Sequence, residues 1–239
     1  MRLLNRRRWQ RAGVFGTTLL LMAGSAVAAT APLSAPGPVQ ASSAIAAPIE
    51  LGEGVALVGI NGFRSAHFGM SEDDVRAAIV RDFAVKPRDI VAGLNAAERT
   101  QLLTIRVPDV LPGGGTATVS YVFGYATRTL IQVGVLWSAA TDSSLTAAKL
   151  SASGEALRSR LIAAGYKLGT IKTDLLLSNG LLLFRGEDGA GHATILMFEG
   201  NFATAAGTRQ KSFTPTSLSL LNSANPQHPD VFRLAPGSF

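Results

Sequence analysis

The sequence of 239 residues contains no cysteine, and this absence removes several kinds of chemistry at once. Disulfides, thiol nucleophiles, cysteine-ligated metal ions and iron–sulfur clusters all need a cysteine sulfur. Lipid attachment to a cysteine is excluded for the same reason. A chain of this length can bury a sizeable core without covalent cross-links. We therefore expect a fold that is held together by apolar packing.

The sequence also lacks the motifs that mark common catalytic, metal and nucleotide sites. It contains no H-E-x-x-H, no G-x-S-x-G and no phosphate-binding loop. Its histidines, His67, His192 and His228, have no partner at metal-ligand spacing. We therefore predict no catalytic residue, no cofactor and no metal site. The alternative is an enzyme whose site is assembled from scattered residues, such as His67 or His192 with an acid.

Three clusters of acidic or glycine residues have local structural explanations. Glu72-Asp73-Asp74 could suggest a metal or acid–base site, but acidic residues are favoured in the first turn of a helix. Gly113-Gly114-Gly115 lacks the lysine and hydroxyl residue of a phosphate-binding loop. Residues 186–191 join two predicted strands, whereas a dinucleotide-binding loop joins a strand to a helix. We interpret these clusters as a helix start and two turns.

Excess positive charge is confined to the N-terminal segment. The whole chain has 22 basic and 16 acidic residues and a net charge of +6. Five of the arginines lie in residues 1–28, which contain no acid, so 17 basic and 16 acidic residues remain, a net charge of about +1. The remaining basic residues are scattered, so we predict no binding to nucleic acid or to anionic membranes.

Residues 1–28 have the three parts of a cleavable secretory signal. A basic n-region precedes an apolar run at 12–24, which is shorter than the roughly 20 residues that span a bilayer. Ala26-Val27-Ala28 has the small residues that signal peptidase requires, so cleavage is predicted between Ala28 and Ala29. The alternatives are an uncleaved anchor and a twin-arginine signal at 6–9. We predict a soluble protein, in the periplasm or secreted, without a membrane span after cleavage.

Composition divides the rest of the chain into three parts. Residues 29–54 are rich in Ala, Pro and Ser, which is typical of a flexible leader. Residues 55–221 show helix and strand patterns and are predicted to be the folded domain. Residues 222–239 are rich in proline and are predicted to be an extended C-terminal arm.

A helix followed by an antiparallel meander is predicted for residues 60–137. Ser71 can cap a helix with an acidic first turn, and Lys86-Pro87 ends it. The predicted buried face of this helix is Val75, Ala78, Ile79 and Phe83. Three strands with period-two alternation follow, at 103–107, 116–124 and 130–137.

The same order of elements is predicted again for residues 141–221. A second helix starts at Ser143 or Ser144, although Gly154 in its interior could divide it into two short helices. Its apolar stripe is Leu150, Gly154, Leu157 and Leu161, and Gly165 is its expected C-terminal glycine. Asn179-Gly180 between apolar runs predicts a hairpin with a type I′ turn. Further strands are predicted at 192–199 and 217–221.

The predicted fold class is therefore α+β. Two consecutive helix-plus-antiparallel-meander units, at about 60–137 and 141–221, are expected to pack as one domain. The units share the order of their elements but no obvious residue identity.

The segment Phe68-Gly69-Met70-Ser71-Glu72-Asp73-Asp74-Val75-Arg76 resembles the helix entry of small envelope proteins of the BamE/SmpA type. Those proteins, and the wider group with a β-lactamase-inhibitor-like α+β fold, bind other proteins and are not enzymes. The resemblance therefore implies a non-catalytic, protein-binding role outside the cytoplasm. This chain departs from the family in lacking a lipid-anchoring cysteine and in carrying a second unit. The Ala-rich composition also resembles that of proteobacterial periplasmic proteins.

The functional prediction is a periplasmic binding or accessory module that contacts another envelope protein and has no catalytic activity. The predicted partner contact is formed by Phe63, Arg64, His67, Phe68 and Met70, because aromatic and sulfur side chains cluster there at an irregular helix entry. A binder of small apolar ligands is the alternative, since a curved sheet can enclose an apolar cavity. An enzyme without a recognisable motif is the third possibility.

Overall fold

The computed structural model of the protein describes residues 57–204 and 211–234. The predicted signal peptide and leader lie outside these residues, as does 235–239, the end of the predicted C-terminal arm.

The described part begins with a hairpin and a helix. β1 (Gly62–Phe63) pairs with β2 (Ala66–His67), and α1 (Glu72–Phe83) follows. The predicted start of this helix is confirmed, because Ser71 is its N-cap and its Oγ accepts the N–H of Asp74 at 3.3 Å. The acidic first turn complements the helix dipole. The helix ends at Ala84 in a left-handed conformation, before Pro87 begins a short 3-10 turn.

Eight further strands form one antiparallel sheet, with the second helix between β6 and β7 in the chain. The elements are β3 (Val91–Asn95), β4 (Thr100–Val107), β5 (Ala117–Phe123), β6 (Leu130–Ser138), α2 (Ala147–Ile162), β7 (Leu175–Leu176), β8 (Gly180–Glu187), β9 (Ala193–Thr204) and β10 (Lys211–Ser223). The strand order is β3-β4-β5-β6-β10-β9-β8-β7, so β6 and β10 meet at the centre. The predicted mixed α+β class is confirmed.

Both helices pack against one face of this sheet. A single hydrophobic core contains the predicted face of α1, Leu150 of α2 and the inward side chains of both halves of the sheet. Its largest fully buried side chains include Trp137, Tyr121, Phe123 and Phe184. Burial of an aliphatic or phenyl side chain contributes about 1.5–3 kcal/mol, so this layer is the main source of stability.

The three predicted strands of the first meander are confirmed as β4, β5 and β6, but β3 is absent from the prediction. The β3 sequence Val-Ala-Gly-Leu-Asn has a central glycine and no clean alternation. It lies at an edge of the sheet, where Val91 and Leu94 are 62% and 61% exposed. An edge strand has only one neighbour, so burial leaves little pattern in its sequence.

The second helix is one element, and the prediction of a start at Ser143 or Ser144 is wrong. Thr146 is the N-cap and its Oγ1 accepts the N–H of Lys149 at 3.3 Å. Ser144 instead donates its N–H to Asp142 Oδ1 at 2.9 Å, which holds it in the preceding turn. Gly154 does not divide the helix, because it is buried directly under the Phe198 ring, where a side chain has no room.

The predicted hairpin at Asn179-Gly180 exists, but its turn is shifted. Leu176 faces Leu181, and the Leu177 N–H donates to the Gly180 carbonyl at 2.9 Å, so the loop is Ser178-Asn179. Neither Asn179 nor Gly180 has the positive φ of a type I′ turn. A Cβ at position 180 would collide with the Phe198 carbonyl oxygen. This glycine therefore permits the close approach of β9, which local turn chemistry does not reveal.

The predicted strand at 217–221 is part of the much longer β10, and the arm that follows it is docked. Residues 224–234 contain no helix or strand, whereas Asn222 and Ser223, the first residues of the predicted arm, belong to β10. The Ala224 N–H donates to the Ile131 carbonyl at 2.9 Å, and the Phe232 N–H donates to the Glu98 carbonyl at 2.9 Å. These bonds fasten the arm across the turns of the first meander.

Gly154→Ala is expected to lower stability even though alanine is favoured over glycine in a helix by about 1 kcal/mol. The added methyl group collides with Phe198, and overpacking of a core costs about 1–3 kcal/mol. Urea unfolding of the wild type, Gly154→Ala, Phe198→Leu and the double variant measures the coupling. In the Phe198→Leu background the cost of Gly154→Ala should shrink. A gain in stability from Gly154→Ala alone contradicts this packing.

Candidate functional site

The sheet has a second face, which points away from both helices and which we call the open face. Strand pairing defines it, because residues directly opposite one another in an antiparallel pair share a face. At the centre of the sheet, Ser219 pairs with Leu136 on one side and with Met197 on the other. The apolar and small residues of the open face are Leu102, Thr104, Thr118, Ser120, Val122, Gly134, Leu136, Leu182, Ile195, Met197, Ser219 and Leu221, and the same register adds Arg106, Gln132, Ser138, Arg185, Glu199 and Ser217.

Apolar side chains on the open face are separate from the main core. Leu182, Ile195 and Met197 form a small cluster with Leu221. Across the other half of the face, the half-buried apolar residues are Leu102, Val122 and Leu136. No side chain of α1 or α2 belongs to the small cluster. Leu182, Ile195 and Met197 are themselves only 7–8% exposed, so the apolar area of this face that stays partly exposed comes from Leu221 and from the three half-buried residues of its other half.

Among the described residues, the charged side chains of the open face lie on strands that flank β5, β6 and β10, with Arg106 opposite Thr118 and Glu199 opposite Ser217. The open-face residues of β5, β6 and the paired 217–223 part of β10 are all uncharged. Arg106 lies on β4 and Glu199 on β9. On β8, Arg185 forms an ion pair with Glu187 at 2.5 Å, and both side chains are largely buried. An uncharged centre with charges around it has the layout of a protein-contact surface.

The hydroxyl groups on the open face bind one another or the backbone. Thr104 and Ser120 lie opposite each other with their Oγ atoms 3.4 Å apart. Thr118 Oγ1 is 3.0 Å from Thr141 Oγ1, and Ser219 donates to the Met197 carbonyl at 3.5 Å. Within residues 57–204 and 211–234, no base is hydrogen-bonded to any of these three pairs, so they offer only weak polar contacts.

The five residues of the predicted partner contact are divided between the core and the surface. Phe63, Phe68 and Met70 are half-buried and pack against the main core. Arg64 and His67 are exposed. The Phe63 ring stacks on Phe83 of α1 with centroids 6.4 Å apart, so most of this cluster has a packing role.

Arg64 occupies the turn of the β1–β2 hairpin with a φ of 54°. Its guanidinium carbon lies 4.2 Å from the centroid of the Phe83 ring, and Nη1 donates to the Asp82 carbonyl at 2.8 Å. The Asp82 carboxylate accepts the N–H of Ser65 at 3.0 Å. These contacts tie the hairpin to the end of α1 and orient the cation outward.

His192 is brought to an acid, as the enzyme alternative requires. Its Nδ1 lies 3.2 Å from Asp188 Oδ2 and 2.6 Å from the Ile60 carbonyl oxygen, so Nδ1 carries the proton. The Phe68 ring meets the imidazole edge to face at 5.3 Å. Among the described residues, no serine or threonine hydroxyl is hydrogen-bonded to His192. The pair therefore fastens the chain near Ile60 and lacks a nucleophile.

Asp188 is a buried clasp for two separated segments. Its carboxylate accepts the N–H groups of Ile60, Ala190 and His192, each at 2.9 Å. Burial raises the pKa of Asp188, but these hydrogen bonds and the His192 imidazole outweigh it, so the pKa lies below its usual range. Hydrogen bonds to the charged form explain this direction.

Asp142 and Asp230 also hold turns by accepting backbone N–H groups. Asp142 accepts the N–H groups of Thr116 and Ser144, and these bonds lower its pKa to about 2. Asp230 accepts the N–H groups of Ala126 and Thr127. Burial raises the pKa of Asp230, but those bonds lower it further, so the net shift is downward.

The remaining polar candidates from the sequence take structural positions. Glu72, Asp73 and Asp74 lie in the first turn of α1, and 188–192 forms the turn that joins β8 to β9. His228 is exposed on the docked arm. In the described part of the chain, no three His, Asp or Glu side chains gather as metal ligands. Neither α1 nor α2, the helices described in 57–204 and 211–234, is long and apolar enough to cross a membrane.

Comparison of the chain with protein-family models, with curated proteins and with solved structures finds no match in any of the three. The resemblance of the α1 entry to the BamE/SmpA type stays a prediction.

The open face is the feature that sequence reasoning missed. Its signal is the second phase of the strand alternation, in which Thr118, Ser120 and Val122 interleave with the buried Val119 and Tyr121. Serine and threonine in that phase are equally typical of an ordinary solvated face. Only the strand order brings these residues together with those of β9 and β10.

Acid is expected to destabilise the protein between about pH 4 and pH 2. The pKa values of Asp142, Asp188 and Asp230 are lower in the folded chain than the unfolded value of about 3.9. Their contribution is complete above the unfolded pKa and is lost as pH falls through the folded values. Thermal melting at pH 7, 4, 3 and 2 measures it.

Asp188→Asn is the matched variant for this acid effect. It should be less stable at pH 7 by about 1–3 kcal/mol, because an amide oxygen cannot accept three N–H bonds as well as a carboxylate. Its melting temperature should also depend less on acid than that of the wild type. Equal acid dependence in the two proteins would show that Asp188 is not one of the titrating clasps.

Proposed function

We propose that this chain is an exported, non-catalytic module that binds another envelope protein through the open face of its sheet. The observation that carries the proposal is the uncharged centre of that face, where Leu136, Ser219 and Leu221 lie among apolar and hydroxyl neighbours. A monomer does not gain by keeping such a surface towards solvent, whereas a partner that covers it gains by its burial.

The partner that fits is a folded protein with a similarly uncharged, apolar patch. A charged partner surface would lose its hydration over strands that offer no countercharge. Arg106 and Glu199, of opposite sign, lie on the strands that flank β5, β6 and β10 and can fix the orientation of the partner. The proposal also includes the exposed Arg64 and His67 of the predicted contact stretch as residues that touch the partner.

The two-unit organisation is part of the proposal. Each half of the sheet is a four-stranded meander preceded by a helix, α1 with β3–β6 and α2 with β7–β10. The second meander runs from the edge to the centre, like the first, and this order supports two similar units. The BamE/SmpA-type resemblance fits the same reading, and the binder of small apolar ligands stays a separate prediction.

Ser219→Arg tests the open face, with Ser159→Arg as its matched control. Ser219 is at the centre of the open face, whereas Ser159 is exposed on α2. A photo-crosslinking amino acid at position 136 first identifies the partner in the native envelope, and the purified partner is then titrated. Ser219→Arg should weaken binding at least about tenfold, because it places a long charged side chain where the partner would have to bury it at the centre of the interface.

Ser159→Arg should bind the partner as the wild type does, and both variants should keep the wild-type melting temperature. If both variants bind equally well, or if a crosslinker at 159 captures the same partner as efficiently as one at 136, the open face is not the binding surface.

The proposed export has its own test. The protein recovered from the envelope should begin at Ala29, because the small residues before that position suit signal peptidase. Ala28→Asp should leave the longer, uncleaved chain, and intact-mass measurement separates the two. A wild-type chain that keeps residues 1–28 in the envelope contradicts the cleavable signal and favours the uncleaved anchor.

A further inference from the structure

The turn between β5 and β6 and the C-terminal arm line an open groove that shares no residue with the open face. Its lining consists of Tyr125, His228, Pro229, Val231, Phe232 and Arg233. The rings of Tyr125 and Phe232 meet edge to face with their centroids 5.5 Å apart and provide an aromatic floor. The groove measures about 550 Å³ and is open to solvent.

Three arginines surround this aromatic floor. The guanidinium carbon of Arg99 lies 3.7 Å from the centroid of the Phe232 ring, and that of Arg128 lies 5.8 Å from the Tyr125 centroid. Arg233 lines the groove itself. None of the three takes part in an ion pair within the described residues. Arg128 and Arg233 are nonetheless near acids, because burial raises the pKa values of Asp230 and Glu98 and the charges of Arg128 and Arg233, respectively, act against it.

The two acids nearby are engaged in holding the turns. Both carboxylate oxygens of Asp230 accept backbone N–H groups, from Ala126 at 2.9 Å and from Thr127 at 2.8 Å. Glu98 Oε2 accepts the Asn95 side-chain amide at 3.0 Å. Hydrogen bonds from neutral amides leave both carboxylates charged, so the three arginines and the two acids together give this region a net charge of about +1.

The backbone holds two of the cations in unusual positions. Arg99 and Arg128 have φ values of 52° and 57°, a region that favours glycine. Such strain persists where the surrounding structure fixes it, and it concentrates at binding sites. Arg99 lies over the Phe232 ring, and a guanidinium carries five N–H donors that can bind a carboxylate.

We propose that this groove binds an extended acidic peptide that carries a large apolar side chain. The peptide carboxylates accept the paired N–H donors of the arginines, and the apolar side chain rests on Tyr125 and Phe232. An open groove beside an extended arm suits an extended chain better than an enclosed small molecule. The site uses none of the open-face residues, so either proposal can fail without the other.

The test titrates the full mature chain with three blocked peptides, Glu-Phe-Glu-Phe-Glu, Gln-Phe-Gln-Phe-Gln and Lys-Phe-Lys-Phe-Lys, by calorimetry at low ionic strength. The acidic peptide should bind at least about tenfold more tightly than the other two, and added salt should weaken it. Arg99→Gly should lower its affinity at least about fivefold, because it removes the stacked fork that binds carboxylates. That variant relieves the positive φ, so folding is not put at risk.

Arg160→Gln is the matched control, since Arg160 is exposed on α2 and outside the groove. It should bind the acidic peptide as the wild type does, and Arg128→Gln should weaken it as Arg99→Gly does. Equal binding of the three peptides, or no heat from the acidic peptide, would overturn the proposal. An equal loss in Arg160→Gln and Arg99→Gly would also overturn it, because the attraction would then come from overall charge.

Discussion

The pairing of β6 with β10 joins the two halves of the sheet, and the rest of the structure depends on it. Seven residue pairs, from Ser217 with Ser138 to Ser223 with Gln132, connect strands that are far apart in the sequence. On the helix side, Trp137 lies opposite Leu218, and both are fully buried. The same pairing places Leu136 beside Ser219 and so creates the centre of the open face. Such long-range pairing favours slow folding, and β6 has an unpaired edge until β10 has been made.

Aspartate side chains organise the segments that the sheet does not. Asp82, Asp142, Asp188 and Asp230 each accept backbone N–H groups from a turn or loop outside regular structure. A buried N–H without a partner costs about 1–3 kcal/mol, so the bond from Ile60 to Asp188, which is buried, removes a penalty that the strand ladders cannot relieve. The clasps of Asp188 and Asp230 also cross long sequence distances, to Ile60 and to Thr127. They therefore fix the N-terminal entry and the C-terminal arm to the same sheet.

Local signals predicted those elements whose residues determine their own structure. Ser71 with its acidic turn gave the start of α1, and period-two alternation gave β4, β5 and β6. Prediction failed where a distant strand determines the local structure. Position 180 needs a glycine because β9 approaches it closely, and not because of the conformation of its own turn. The open face and the groove beside the C-terminal arm were not predicted for the same reason. Their residues come from strands and turns distributed over more than half of the described chain, and only the strand order assembles them.

Three arginines combine a strained turn conformation with a contact between the guanidinium and an aromatic ring. Arg64, Arg99 and Arg128 each take a positive φ in a turn, and each guanidinium lies within 6 Å of an aromatic ring. Glycine would adopt these turns with less strain, but it would bring neither charge nor stacking. A cation on an aromatic face contributes about 0.5–1 kcal/mol at an exposed site, which offsets part of the backbone cost. The turn thereby holds a charged group in a fixed place at the surface, and a partner that pairs with that charge need not first restrict a flexible side chain.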